Sequence, residues 1–248
     1  MYTAKCVTTS LRPMKLFFHR QFFTGKVHSK TTSSFIKYSE YSVSPAFYRL
    51  PRKRIRGDNL IGPFQSRVYV TDLREKTYTL NVDVYDVTTR RWLVTERSHA
   101  VIVDLQTRKP VTFDLESEFY KFAKAYLFRR GSLDTFHWNA KAFDDDASSF
   151  RKEAHLRVTI QQCGIDCNGH LNDSIYFKYA AQLLEQRKHT PVQPMSFHIL
   201  FRREAILGND LCFYANSSSH LHSVDVVRND VTLATIRFDG TASMPSML

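Results

Sequence analysis

The sequence predicts an α+β fold in which a long helix is wrapped by an antiparallel sheet, and in which this unit occurs twice in tandem. Three observations lead to this prediction. Two groups of short segments alternate between apolar and polar residues, as half-buried strands do. Each group follows an apolar segment of helical length. The tetrapeptide Phe35-Ile-Lys-Tyr38 resembles Tyr176-Phe-Lys-Tyr179 at an offset of 141 residues, which indicates an internal duplication.

Length and composition agree with this class and exclude several others. The chain has 248 residues, of which 43% are apolar and 24% charged, enough for one large domain or two smaller ones. Eight Gly and eight Pro exclude collagen-like and low-complexity chains. No apolar run approaches the roughly 18–20 residues of a membrane span. Four Cys are too few for a disulfide framework, which favours a reducing compartment.

The net charge of +11 is concentrated at the N-terminus. Residues 1–56 contain twelve Lys or Arg and one acid, Glu40, whereas the remainder of the chain carries 23 residues of each sign. Residues 1–39 lack Asp and Glu and are rich in Ser and Thr, as organelle transit peptides are. We therefore expect residues 1–13 to be a targeting segment, for a mitochondrion rather than a plastid, with a cytoplasmic location left open. The alternative is a basic first strand that stays in the mature domain.

The first unit is expected over residues 14–130. A helix is predicted over 33–48, with Phe35, Ile36, Tyr38 and Tyr41 as its apolar members. Strands rich in Val, Tyr, Thr and Leu follow at 64–72, 76–86, 90–97 and 99–105.

A second helix is predicted to open at Asp114, because acidic residues lie in its first turn, Arg129 and Arg130 in its last, and Gly131 after it. Residues 131–152, with their Asp and Ser clusters, are predicted to be a surface linker.

The second unit is expected over residues 153–248. Leu156, Val158 and Ile160 alternate as a strand, and residues 173–187 are predicted to form a helix capped by Asp173 or Ser174. The remaining strands are predicted near 195–205, 210–216, 220–228 and 230–238. A long apolar helix followed by such a sheet is the arrangement called a hotdog, so two copies predict a double hotdog.

The densest polar cluster lies just before the helix of the second unit. Asp166 and His170 can transfer protons near neutral pH, and Asn168 can orient a water molecule or a carbonyl group. Gly169 allows close approach of the backbone, and the free N–H groups at the helix start could stabilise an oxyanion. The alternative is that these residues are ordinary helix caps.

Other chemistry at this cluster is disfavoured. The spacing of Cys163, Cys167 and His170 is not that of a zinc site, and no second pair of ligands is evident. Cys167 alternates with Asp166 and Asn168, which directs its thiol away from them. We therefore expect neither a metal nor another cofactor.

The segment Asp166-x-Asn168-x-His170-Leu-Asn172 resembles the Asp-x-Asn-x-His-Val-Asn-Asn signature of the plant and bacterial acyl-acyl carrier protein thioesterases, which are double-hotdog enzymes. Their downstream aromatic-Arg-Arg-Glu-Cys motif is matched by Phe201-Arg-Arg-Glu204-Ala205. The resemblance is good over residues 155–240 and faint over 15–130, although Thr107-Arg-Lys also fits. Ala205 replaces the cysteine of the family, which argues against a thiol mechanism.

The resemblance implies a catalytic set of Asp166, Asn168, His170 and Glu204. It also implies that the first unit, with Thr24 and Lys26 in place of the Asn and His, is not catalytic. Around this set the substrate-binding residues are expected to be Gly169, Leu171 and Asn172. The basic run 49–56 suits an acidic partner, so the expected docking residues for acyl carrier protein or coenzyme A are Arg52, Lys53 and Arg54.

The function implied is hydrolysis of fatty acyl thioesters, most readily acyl-acyl carrier protein, to free fatty acids by a monomer or a homodimer. Two alternatives remain. One is a catalytically silent hotdog protein within an organellar RNA–protein assembly, in which the basic N-terminus contacts nucleic acid. The other is a hydratase on the same fold.

Overall fold

A single antiparallel sheet dominates the fold. The computed structural model describes residues 32–44, 55–56, 59–60, 64–104, 106–125, 127, 156–166, 169–188, 194–217 and 222–241. The strands of the first part are β1 (Thr32–Val43), the short pair β2 (Ile55–Arg56) and β3 (Asn59–Leu60), β4 (Phe64–Leu73), β5 (Thr77–Asp86) and β6 (Arg91–Asp104). Those of the second part are β7 (Leu156–Thr159), β8 (Pro194–Phe201), β9 (Asp210–Ser217), β10 (His222–Arg228) and β11 (Val231–Thr241). The helices are α1 (Glu118–Ala125), a 3₁₀ turn (Gln162–Gly164) and α2 (Asp173–Lys188).

The strand order divides the sheet into two matching units. Nine strands pair in the order β4-β5-β6-β1-β8-β11-β10-β9-β7. In each unit the first long strand, β1 or β8, pairs with the last strand of a three-strand meander that follows it in the chain. The two units meet where β1 and β8 pair antiparallel. This mirrored order is what a duplicated chain would produce.

The helix predicted over 33–48 is wrong where the structure describes it. Residues Thr32–Val43 form β1, which pairs with β6 on one side and β8 on the other. The segment contains Phe, Ile, Val and two Tyr, which favour strands, and its short apolar pattern did not separate helix from strand. Pairing with β6 along the strand, and with β8 over residues 38–42, satisfies backbone N–H and C=O groups and stabilises the strand.

The sequence similarity between residues 35–38 and 176–179, which suggested the duplication, therefore does not correspond to equivalent structural elements. Residues 35–38 lie in β1, whereas residues 176–179 lie in α2. The prediction of a helix followed by four strands in each unit consequently holds only for the second unit. The matching strand order now supports the duplication instead.

Two other boundaries differ in the first unit. The strands predicted at 90–97 and 99–105 are one continuous strand, β6. The helix predicted from Asp114 begins later, because Asp114 to Ser117 form a turn in which Ser117 N–H donates to the Asp114 carbonyl at 3.0 Å. Ser117 Oγ then accepts the N–H of Tyr120 at 3.2 Å and caps α1. The predicted helix end at 129–131 is wrong, because α1 ends at Ala125 and Leu127 forms a bridge with Val70 of β4. The targeting segment and the linker at 131–152 lie outside the described residues.

Helix α2 forms the centre of the larger core. Its buried side chains repeat at intervals of three, four and seven residues, so a wide stripe faces the sheet; they are Tyr176, Phe177, Ala180, Ala181, Leu183 and Leu184. The ring of Phe177 lies 4.2 Å from that of Phe197 on β8 and 5.5 Å from that of Phe238 on β11. Helix α2 thus packs against the sheet of the second unit, and the loop before α2 lies next to this core.

The first unit has a smaller core of its own. Val70, Tyr78, Ala100 and Ile102 of the sheet pack with Phe113 and with Ala123 of α1. No helix in the part of the chain that the structure describes is long and apolar enough to cross a membrane.

Candidate active site

The loop before α2 is fixed between two neighbouring segments by main-chain pairing. Leu171 forms an antiparallel bridge with Ile165, and His170 forms one with Ile206. The N–H of Leu171 donates to the carbonyl of Ala205 at 2.8 Å. Because these bridges join residues 170–171 to the segment after β8, they bring His170 close to Glu204, although 34 positions separate them in the sequence.

Asp166 and His170 close this loop on itself. The N–H of Asp166 donates to the carbonyl of His170 at 2.8 Å, and the Asp166 carboxylate accepts the N–H of His170 at 3.0 Å. Gly169 has a φ of +80°, and a Cβ there would meet no atom within 4 Å. The left-handed turn is thus one reason for a glycine at this position, and close approach of the backbone to a substrate stays a prediction.

The side chains of His170 and Glu204 lie next to each other. Nε2 of His170 lies 3.3 Å from Oε2 of Glu204, and the two side chains are 17% and 25% exposed. The nitrogen is buried and is not aligned for a hydrogen bond with this oxygen or with any other atom of the described residues. The imidazole of His170 and the carboxylate of Glu204 are therefore adjacent in a partly buried position.

Arg108 reaches this pair from the first unit and was not among the predicted site residues. Its Nη1 donates to Oε1 of Glu204 at 3.2 Å, and the Arg108 side chain is 50% exposed. The two oxygens of Glu204 therefore face different groups, Arg108 on one side and His170 on the other. The Thr107-Arg-Lys match of the sequence was the signal that could have identified it.

Tyr176 is a second residue that the sequence analysis did not assign to the site. It is 2% exposed on the first turns of α2. Burial, followed by the nearby Asp173 and Glu204 charges, raises the pKa of its phenol, and a hydrogen bond from the Ala205 backbone opposes this shift. The phenol thus stays neutral and supports the segment that carries Glu204. Because Tyr176 lies in the apolar stripe of α2, the sequence pattern indicated only a core residue.

Asn172 is the cap of α2, which corrects the predicted cap at Asp173 or Ser174. Its Oδ1 accepts the N–H of Ser174 at 3.0 Å and the hydroxyl of Ser174 at 2.7 Å. Helix α2 therefore begins at Asp173. The Asn172 side chain, which was expected to bind substrate, is used in this cap.

The predicted oxyanion donors at the helix start are largely engaged as well. The N–H groups of Leu171, Asn172 and Ile175 donate to protein carbonyls at 2.8–2.9 Å. The N–H of Ser174 is bound by the cap. Because these groups already have acceptors, stabilisation of a substrate oxyanion would fall mainly to side chains such as His170.

The remaining predicted residues divide into two groups. Leu171 is 4% exposed and packs in the core around α2, and its contact with substrate stays a prediction. Asn168 and the docking residues Arg52, Lys53 and Arg54 lie outside the described residues. Within the described ranges, no group of three or more His, Cys, Asp and Glu side chains is placed to hold a metal ion.

The part of the chain that contains this site matches a known protein family. Residues 145–238 match the family described as the acyl-ACP thioesterase C-terminal domain. This range contains Asp166, His170 and Glu204, as well as α2. A search of curated protein sequences gives no match.

Three solved structures share the fold at low sequence identity. An acyl-ACP thioesterase from Bacteroides thetaiotaomicron is 15% identical with a TM-score of 0.59, and the match covers 84% of this chain and 76% of that one. The 12:0-ACP thioesterase from Umbellularia californica is 13% identical with a TM-score of 0.62, covering 85% and 75%. A structure described as an oleoyl thioesterase from Lactobacillus plantarum is 13% identical with a TM-score of 0.63, covering 88% and 80%. The resemblance to the acyl-acyl carrier protein thioesterases is therefore confirmed, in sequence over residues 145–238 and in fold over most of the chain.

Proposed function

We propose that this protein hydrolyses acyl thioesters at the site formed by Glu204, His170 and Asp166. The observation that carries the proposal is the 3.3 Å approach of His170 Nε2 to Glu204 Oε2, within the segment that matches a thioesterase domain. A carboxylate beside an imidazole is suited to activating water near neutral pH.

In the proposed reaction Glu204 is the general base. Its carboxylate takes a proton from a water molecule as the water oxygen forms a bond to the thioester carbonyl carbon. The C–S bond then breaks, and the same proton passes from Glu204 to the departing sulfur, so that free acid and thiol are the products. Glu204 is favoured over Asp166 because its Oε2 lies beside Nε2 of His170, whereas the Asp166 carboxylate accepts the backbone N–H of His170.

His170 is proposed to stabilise the oxygen that gains negative charge. Its Nε2 lies in a water-poor position, where a hydrogen bond to a developing charge is stronger than in bulk water. Asp166 holds the His170 backbone in place, and Asn168 is proposed to orient the attacking water. Because Ala205 follows Glu204, no thiol takes part at that position.

The finer assignments rest on the family match and on charge. We propose that the two mirrored four-strand units are two hotdogs and that acyl-acyl carrier protein is preferred to acyl-coenzyme A. Both carriers are acidic, and the basic run 49–56 would attract either. The acid-free residues 1–39 support a mitochondrial location, which fluorescent fusions of residues 1–248 and 14–248 would test.

The proposed function is tested with a panel of acyl-acyl carrier protein and acyl-coenzyme A thioesters, in which released thiol is measured. We expect turnover by the native protein and a loss of about 10²–10⁴-fold in Glu204→Gln. Glu116→Gln is the matched control, because Glu116 is an exposed acid that pairs with Lys121 on the surface. Absence of thiol release from every substrate would contradict the proposal.

The same preparation tests the silent structural subunit. That alternative expects the protein to copurify with RNA and Glu204→Gln to have no consequence. The close approach of Glu204 and His170 disfavours it, because a silent copy has no need to keep an acid and an imidazole together.

A further inference from the structure

Arg108 connects the first unit to the chemistry of the second. It lies 96 positions before Glu204 and contacts Oε1 of that residue at 3.2 Å, while Oε2 faces His170 at 3.3 Å. The three side chains thus form a row from Arg108 through Glu204 to His170. The sequence had assigned the first unit no part in catalysis.

The turn after β6 holds Arg108 in a defined position. The Asp104 carboxylate accepts the N–H groups of Thr107 at 2.7 Å and Gln106 at 3.1 Å, and these bonds lower the pKa of Asp104. The N–H of Arg108 donates to the Asp104 carbonyl at 2.8 Å, and the N–H of Asp104 donates to the Lys109 carbonyl at 3.0 Å.

Arg108 itself has a φ of +57°, a left-handed conformation that non-glycine residues adopt infrequently. Such a conformation persists only where the surroundings over-determine it.

Stability does not account for this contact. Both side chains are partly exposed, 50% for Arg108 and 25% for Glu204, and ion pairs of this kind contribute little to folding. A guanidinium does, however, fix the orientation of a carboxylate, because its N–H groups have a rigid planar geometry.

We propose that Arg108 is a positioning residue that holds Glu204 with Oε2 directed toward His170 and the attacking water. The inference rests on the proposed thioesterase function. Arg108 acts through Glu204 and has no need to touch the substrate. The first unit is then part of the catalytic machinery, since it supplies the cation that orients the base.

The first test compares Arg108→Met with Arg108→Lys and with the matched control Arg74→Met. Arg74 is also an exposed arginine of the first unit and pairs with Asp72 at 3.1 Å. We expect Arg108→Met to lower kcat by about 10²-fold, the scale of a small misplacement of a catalytic group, with KM and Tm unchanged. Arg108→Lys should recover part of kcat, and Arg74→Met should behave as the native protein.

The second test separates positioning from binding of a substrate phosphate. Each variant is assayed with an acyl-acyl carrier protein and with an acyl-N-acetylcysteamine thioester, which has no phosphate. Positioning lowers kcat equally for both substrates. A rise in KM confined to the carrier-protein substrate would instead assign Arg108 to phosphate binding and overturn the inference.

The third test is a double-mutant cycle. In a Glu204→Gln background, Arg108→Met should cost less than about twofold in kcat, because the group through which Arg108 acts is already lost. A full additional loss would overturn the inference.

A crystal structure of Arg108→Met distinguishes failure of this inference from failure of the proposed function. We expect the Glu204 carboxylate to be turned away from His170 in the variant. An unchanged Glu204 would overturn the positioning role, whatever substrate the protein cleaves. Conversely, if the native protein releases no thiol from any thioester, the proposed function is refuted, whatever the position of Glu204 in the variant.

Discussion

The rings of Tyr41 and Phe197 stack across the junction of the two units, with their centroids 4.4 Å apart and their planes inclined by 14°. The two residues are register partners in the antiparallel pairing of β1 with β8. Both are essentially inaccessible to solvent. Phe197 also contacts the rings of Phe177 and Phe238, so the junction, α2 and β11 share one aromatic cluster.

Truncation of the Phe197 side chain should therefore destabilise the folded protein strongly. We expect Phe197→Ala to lower the free energy of unfolding by about 3–5 kcal/mol, since it removes a fully buried ring and leaves a cavity. Urea unfolding measures the change. Val87→Ala is the control, because Val87 is 48% exposed and its truncation should change stability by no more than about 0.5 kcal/mol. A loss below about 1 kcal/mol in Phe197→Ala would contradict the packing described.

Substitution of two glycines separates the effect of backbone strain on stability from an effect on thioester hydrolysis. Gly169 and Gly208 have φ values of +80° and +78°, and a Cβ at either would meet no atom within 4 Å. Each replacement by Ala should therefore cost about 1–2 kcal/mol of stability through backbone strain alone. Only Gly169→Ala should also reduce thioester hydrolysis, because Gly169 adjoins His170. Equal activity losses in the two variants would argue against a special role for the 166–170 loop.

Asn172 should behave as a helix cap. We expect Asn172→Ala to destabilise the protein by about 1 kcal/mol, because Ser174 loses its acceptor, and to leave KM unchanged. Asn172→Ser should restore stability, since Ser caps helices about as well as Asn. Thermal unfolding and steady-state kinetics measure the two effects. A raised KM at normal stability would return Asn172 to the substrate-binding residues.

Stability should decline at alkaline pH. Burial, together with the nearby Asp83, raises the pKa of Tyr69 to about 12, and burial also raises the pKa of Tyr176. In the unfolded chain both phenols ionise near pH 10. The contribution of the two phenols to the free energy of unfolding is thus complete below about pH 10. It is lost as the pH rises toward the pKa values of the folded state.

The measurement is the free energy of unfolding between pH 8 and about 12 for the native protein and for Tyr69→Phe/Tyr176→Phe. We expect the alkaline decline to be shallower in the double variant. Identical slopes in the two proteins would show that these phenols do not couple ionisation to folding.

Local patterns were sufficient for much of the second unit. Helix α2 could be predicted to within one residue at its C-terminal end, because its apolar residues repeat with the helical period and a capping sequence precedes it. The four strands after it alternate with period two and were also predicted. The cluster Asp166, His170 and Glu204 came from motif resemblance, and the structure brings its members together.

Contacts distant in sequence determined the remainder. Residues 32–43 are a strand because β6 and β8 are available on both sides, and no property of that segment alone reveals those partners. Arg108 becomes a site residue only when pairing of the two units carries it to Glu204. Helix and strand propensities depend on residues that are neighbours in the sequence. The pairing of strands and the contact between distant charged side chains depend instead on how the two units pack against each other.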